Sequence, residues 1–180
     1  MAEKTTYADW LKQDFGALID KLPLDEIRKH FLRSFWLDQM LWMDGKAVQA
    51  QRWYYALRLT MTLGGVLLPA LVGRPIPGWL TGVVSLLVAV SAAVEGLYRF
   101  GERWRHYRST AEALKLEGWR YFQLSGPYQG AGTFAAAHGL FVARVSEMLE
   151  QEVRSYISTV AQEKKPPEGA AGEEGKAPGV

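Results

Sequence analysis

Three observations predict an all-α membrane protein, a two-transmembrane helical hairpin with cytoplasmic helices forming a hairpin or coiled coil. Two long apolar runs lie side by side, Lys and Arg crowd their outer flanks, and aromatic rings gather at their ends. Overall composition decides nothing: 48% hydrophobic and 22% charged residues suit a soluble domain as well as a membrane one, so the argument rests on position.

The apolar runs extend from Ala56 to Gly73 and from Gly78 to Tyr98, joined by the short turn Gly73 to Gly78 with Pro75 and Pro77. From Pro75 to Val94 no charged residue occurs, and about 20 apolar residues suffice for a helix to cross a hydrocarbon core. The first run carries Arg58 near its start, where a long side chain can snorkel to the headgroups. The alternative is a buried hairpin of a soluble bundle. Such a helix keeps one polar face, whereas Val83 to Val94 offers only Ser85 and Ser91. Pro69 is expected to kink or end the first helix.

Orientation follows from the basic residues. Lys46, Arg52 and Arg58 precede or open the first span, Arg99, Arg103, Arg105, Arg108 and Lys115 follow the second, and the turn has only Arg74. The positive-inside rule then puts both termini in the cytoplasm, with Trp53, Tyr54, Tyr55 and Trp79 as interface anchors. The first 50 residues are polar and charged, which predicts no cleavable signal peptide.

Residues 1–23 read as an N-terminal polar segment, 24–162 as the two-transmembrane domain with spans at about 56–73 and 78–98, and 163–180 as a disordered tail of Pro, Gly, Ala and charge. Leu24 to Tyr55 is expected to be helical and to run into the first span, with a break at Gly45. After the second span, Trp104, Tyr107, Ala111, Leu114, Gly118 and Tyr121 alternate at spacings of three and four, a seam for another helix. That helix should stop near Ser125-Gly126-Pro127. A last helix from about Thr133 to Gln162 carries Phe134, His138, Phe141, Val145, Met148, Glu152 and Tyr156 at the same alternation. The two seams predict either an antiparallel hairpin or an intersubunit coiled coil, with Phe134, Phe141, Val145 and Met148 as the oligomer contacts.

On a helical projection of the second span, Thr81, Ser85 and Glu95 share a face with Ser91 at its margin, which makes them the candidates to line a pore. Glu95 would form a carboxylate ring in a symmetric oligomer, or else pair with Arg99 at the headgroups. Gly78, Gly82, Ala89, Ala93 and Gly96 form a small-residue face for close helix packing, more naturally against the first span than between copies. The basic cluster Arg99, Arg103, Arg105 and Arg108 serves topology first, or binds anionic lipid or a nucleotide signal.

Catalytic chemistry has no foothold. Without Cys there are no disulfides, thiolate metal sites or cysteine nucleophiles. His30, His106 and His138 fit no metal-ligand spacing, and carboxylates such as Glu112 and Glu117 read as solvated or salt-bridged surface charges. No phosphate loop, dinucleotide fingerprint or nucleophile elbow is present, so no catalytic residue, cofactor or metal is expected. A net charge of +2, from 21 basic and 19 acidic residues, points away from a nucleic-acid partner. The expected partners are membrane lipid and further copies of the chain.

A family pattern runs through the chain. It comprises Asp38-Gln39, Trp42 and Asp44, then Tyr54-Tyr55, Arg58-Leu59 and Pro69-Ala70-Leu71 around the first span. After the second span come Glu95-Gly96, Arg99, Arg103-Trp104, Tyr107-Arg108, Ala111-Glu112, Leu114-Lys115 and Glu117, then Gly126-Pro127-Tyr128, Phe141, Arg144-Val145 and Glu152. Over roughly Leu24 to Ala161 this resembles the SLATT superfamily of small two-transmembrane bacterial proteins, in its branch defined by a domain of unknown function. The resemblance implies an oligomeric pore or ion channel acting as an effector in bacterial conflict or stress. With no nucleotide-sensing domain in this sequence, it also implies a separate signal-sensing partner. The competing reading is a non-conducting, membrane-anchored scaffold that recruits a cytoplasmic partner.

Overall fold

The structure, a computed structural model, describes residues 7–71 and 77–163, with side-chain surroundings as far as Arg154. Most of the turn expected between the apolar runs and nearly all of the expected disordered tail lie outside the described residues. Those residues are all-helical.

The chain opens with α1 (Tyr7–Lys21). Its Leu11, Phe15 and Ile19 fall four apart on one face, and all three are buried. The expectation of a merely polar N-terminal segment is thus corrected: the stripe is short and set among charges, but it completes the core. Pro23 follows, and Asp25 caps α2 (Glu26–Phe31) by accepting the Arg28 N–H at 2.9 Å. A π-helical turn, Leu32–Leu37, continues the same rod into α3 (Asp38–Leu71). The extra residue of a π turn re-aims neighbouring side chains; here Leu32, Trp36 and Leu37 are all buried.

No break occurs at Gly45, which lies within α3. Buried Met40, Met43, Ala47 and Ala50 hold that stretch of α3 against the bundle, so packing outweighs the roughly 1 kcal/mol helix penalty of one Gly. Helix α3 also runs past Pro69 as far as Leu71, the last residue described on that side of the turn. The second apolar run is α4 (Gly78–Tyr98), followed after one residue by α5 (Phe100–Phe122). Arg99 makes the join in the left-handed region, at φ 48°. The chain then reverses through Leu124 and Gly126, both at positive φ, and a 3-10 turn, Gly126–Tyr128, into α6 (Phe134–Glu163).

One core holds α1, the π turn, the lower part of α3, α5 and α6 together, around Phe15, Trp36, Leu114, Tyr121, Phe141 and Val145. Trp36 is its centre. Its indole N–H donates to the Leu114 carbonyl at 2.9 Å, and its ring edges Phe15 and Phe141. Gly118 is required beneath it, because a Cβ there would lie 2.0 Å from the indole.

This arrangement decides between the two expected uses of the seams. Phe141 and Val145 are fully buried inside their own chain, and Phe134 and Met148 pack at the core's edge. The seam residues proposed as oligomer contacts are therefore intrachain core residues. Seven-residue periodicity specifies a buried stripe without saying which chain covers it.

Candidate functional site

The apolar hairpin, α4 with the upper part of α3, differs from everything below it. Among the described residues its two helices touch along one line, where Gly64 admits Val88; a Cβ on Gly64 would meet the Val88 side chain at 2.1 Å. Elsewhere the apolar side chains are turned outward: Leu59, Val66, Trp79, Leu86, Val90 and Leu97 are between 50% and 77% exposed.

The line of contact on α4 is not the one the projection suggested. Thr81, Val84, Val88, Ser91 and Glu95 face α3, with Ser91 buried, while Ser85 is exposed and donates to the Thr81 carbonyl at 2.8 Å. Three of the four pore-lining candidates thus lie between the helices instead of sharing an open surface with Ser85. Val88 and Val84 supply the shape that Gly64 accepts, and that fit turns the stripe about its axis. The small-residue face is corrected as well. Gly78, Gly82, Ala89, Ala93 and Gly96 are exposed, and a Cβ on Gly78, Gly82 or Gly96 would meet no neighbouring element within 4 Å among the described residues. The glycine that seats α4 on α3 is Gly64, which the sequence reading did not single out.

At the base of the hairpin Glu95 does not take Arg99 as its partner. One carboxylate oxygen accepts the Gly101 N–H at 3.2 Å, satisfying an amide in the first turn of α5; the other is buried without a hydrogen-bond partner among the described residues. The Arg99 guanidinium pairs with Glu102 at 2.6 Å. Gly101 is again a close approach, since a Cβ there would lie 2.7 Å from the Tyr54 ring.

The basic cluster divides into two kinds. Arg99 and Arg108 are paired, Arg108 with Asp44 at 2.7 Å and Glu112 at 2.6 Å, which ties α5 to α3. Arg103 and Arg105 are exposed.

A polar network inside the core escaped the sequence reading. Glu117 is fully buried, so its reading as a surface charge was wrong. Its carboxylate accepts from Arg144, from Arg120 at 3.3 Å and from the Tyr128 hydroxyl at 2.5 Å. Burial pushes the Glu117 pKa up, but the donors from Arg144 and Tyr128 and the Arg144 charge outweigh it, and the balance lies below the usual carboxylate range. Burial, with Glu117 beside it, raises the Tyr128 phenol, and burial pushes Tyr121 up to about 12. Nearby, His138 Nδ1 is buried without a partner among the described residues, and burial lowers its pKa, with Arg28 adding to the effect. Only the resemblance had singled out Arg144 and Tyr128, and no local spacing announces a contact between α5 and α6. Among the described residues no group of three or more potential ligands is placed to hold a metal ion.

None of the curated proteins and none of the solved structures compared with this chain matches it. A family model described as a protein of unknown function, DUF4231, matches residues 38–133, more than half of the chain. The match takes in α3, the whole hairpin, α5 and the reversal that follows, and stops just before α6. The chain that folds in this way belongs to the DUF4231 family.

Proposed function

We propose that the protein is an integral membrane protein of the bacterial inner membrane, with both termini cytoplasmic, whose copies assemble into an oligomeric pore. The observation that supports insertion best is the hairpin's exposure. Both apolar windows are only 6% buried, whereas the core helix of a soluble protein hides such residues, and exposed apolar surface on this scale calls for lipid. The excess of Lys and Arg below the hairpin supports the orientation.

Assembly is supported by the open small-residue face, which lets helices of neighbouring copies approach closely. One hairpin cannot enclose an aqueous path, so conduction needs several copies. The SLATT-like pattern supplies the pore itself and the setting, an effector in bacterial conflict or stress that answers a separate signal-sensing protein. A second reading, a non-conducting anchor that presents its bundle to a partner, is favoured by the burial of Ser91 and the inward turn of Thr81 and Glu95. A pore lined by those residues requires α4 to turn.

Ion flux through liposomes holding the purified protein tests the function. Flux that rises with the protein-to-lipid ratio, together with a multimeric mass in mild detergent, is the expected result. A tight bilayer and a monomer under every trigger tried would transfer the case to the anchor. Topology is tested separately with single cysteines at Thr6, Ile76 and Ala170, since the chain has none of its own. Only the one at Ile76 should react with an impermeant reagent on intact cells.

A further inference from the structure

We propose that the junction between hairpin and bundle is a lipid-selective collar that binds the phosphate groups of anionic lipids in the cytoplasmic leaflet. The inference rests on the membrane reading above and goes beyond it by naming the lipid class and the residues. Three rings are stacked at the junction: Trp53 on Phe100 with centroids 6.2 Å apart, and Phe100 on Tyr98 at 5.5 Å. Trp53 and Tyr98 are about half exposed, at 53% and 51%. Such rings settle where hydrocarbon gives way to headgroups.

Arginines lie immediately on the bundle side of that stack. Helices α3 and α5 run antiparallel there, with Trp53 beside Phe100 and Tyr54 beside Gly101. Arg52 and Arg103 therefore stand at one level, a step below the rings, and Arg105 follows along α5. All three are exposed, and none has a carboxylate partner among the described residues, unlike Arg99 and Arg108. Glu102, the acidic residue at the same level, is engaged by Arg99. The collar thus presents uncompensated guanidinium groups at phosphate depth, where planar forks match phosphate oxygens. General topology needs positive charge somewhere below the span; it does not need these arginines unpaired beside a ring stack.

The test uses the full chain in mild detergent, mixed with phosphatidylglycerol or phosphatidylcholine, and counts retained lipids by native mass spectrometry. Wild type should retain phosphatidylglycerol in preference, and adding inorganic phosphate should not displace it. The triple variant Arg52→Gln, Arg103→Gln, Arg105→Gln should lose that preference, by about fivefold per arginine at most, while holding phosphatidylcholine and its helix content as wild type does. Equal retention of the two lipids by wild type overturns the proposal, as does a preference that survives in the triple variant. Displacement by free phosphate would reveal a plain anion site and overturn it too. A protein that retains neither lipid and is extracted from membranes by alkaline carbonate would sink the membrane reading along with the collar.

Discussion

Phe141 and Trp36 in the bundle are completely buried, while Leu86 and Leu97 in the hairpin are 64% and 77% exposed. Both ends are rich in apolar residues, yet only one has turned them toward each other. The bundle satisfies itself: it surrounds Trp36 with rings and partners Glu117 with two arginines and a phenol. The hairpin satisfies its backbone by being helical and leaves its side chains to the surroundings. The difference teaches which substitutions a single chain can feel. The bundle should respond as a soluble core does, and the outward-facing side chains of the hairpin should respond only through what lies outside it.

The sharpest form of the contrast is electrostatic. Arg144→Met would leave the buried Glu117 carboxylate short of its main donor, a loss of about 3–5 kcal/mol for a broken buried pair. Near-ultraviolet circular dichroism, which reads the packed rings, should show the bundle melting at lower temperature. Phe141→Ala should cost a similar amount, about 3–5 kcal/mol, through the cavity it opens. Its hairpin counterpart Leu86→Ala should change the detergent-solubilised protein by less than about 0.5 kcal/mol. If Phe141→Ala leaves the melt unmoved but halves the oligomer, the seam belongs between chains after all.

Glycine offers a finer comparison. Gly118→Ala forces a methyl against the Trp36 indole and should cost about 1–3 kcal/mol by overpacking. Gly82→Ala meets no neighbouring element within 4 Å among the described residues. Its bundle melt should be unchanged, so any loss of multimer from that variant reports contact between copies.

The smallest effect is a dependence on pH. His138 has its pKa lowered in the folded state, so the stability tied to its neutral form is complete above about 6.5 and declines as pH falls through its depressed pKa. Glu117 is lowered too, so its contribution is present above about 4.5 and is lost as pH falls further. Acidification from neutrality should therefore weaken the bundle in two stages, and His138→Phe should remove the first. A bundle melt equally stable at pH 7 and pH 5 in the wild type would contradict the assignment to His138.

Much of the architecture was legible in the sequence. The apolar runs gave the hairpin, and spacings of three and four gave α5 and α6 with boundaries close to those observed. What stayed hidden shares one cause: it depends on a neighbour far along the chain. Leu11, Phe15 and Ile19 make a stripe too brief to stand out until α3, α5 and α6 offer a place for it. Glu117 reads as surface charge until Arg144 arrives from α6. The face of α4 that meets α3 is set by the fit of Val88 onto Gly64, a contact between distant residues, and not by the polarity of α4 itself.

From Glu26 to Leu71 the polypeptide forms one continuous helical rod of 46 residues. Nothing hinges between the Trp36 core and the apolar stretch that begins near Ala56. The portion from Glu26 to Tyr55 is roughly 45 Å long, so tilting it by about 10° sweeps its far end through about 8 Å. Because no loop separates the Trp36 core from Gly64, a displacement imposed on the bundle at the π turn would be carried into the hairpin along one helix.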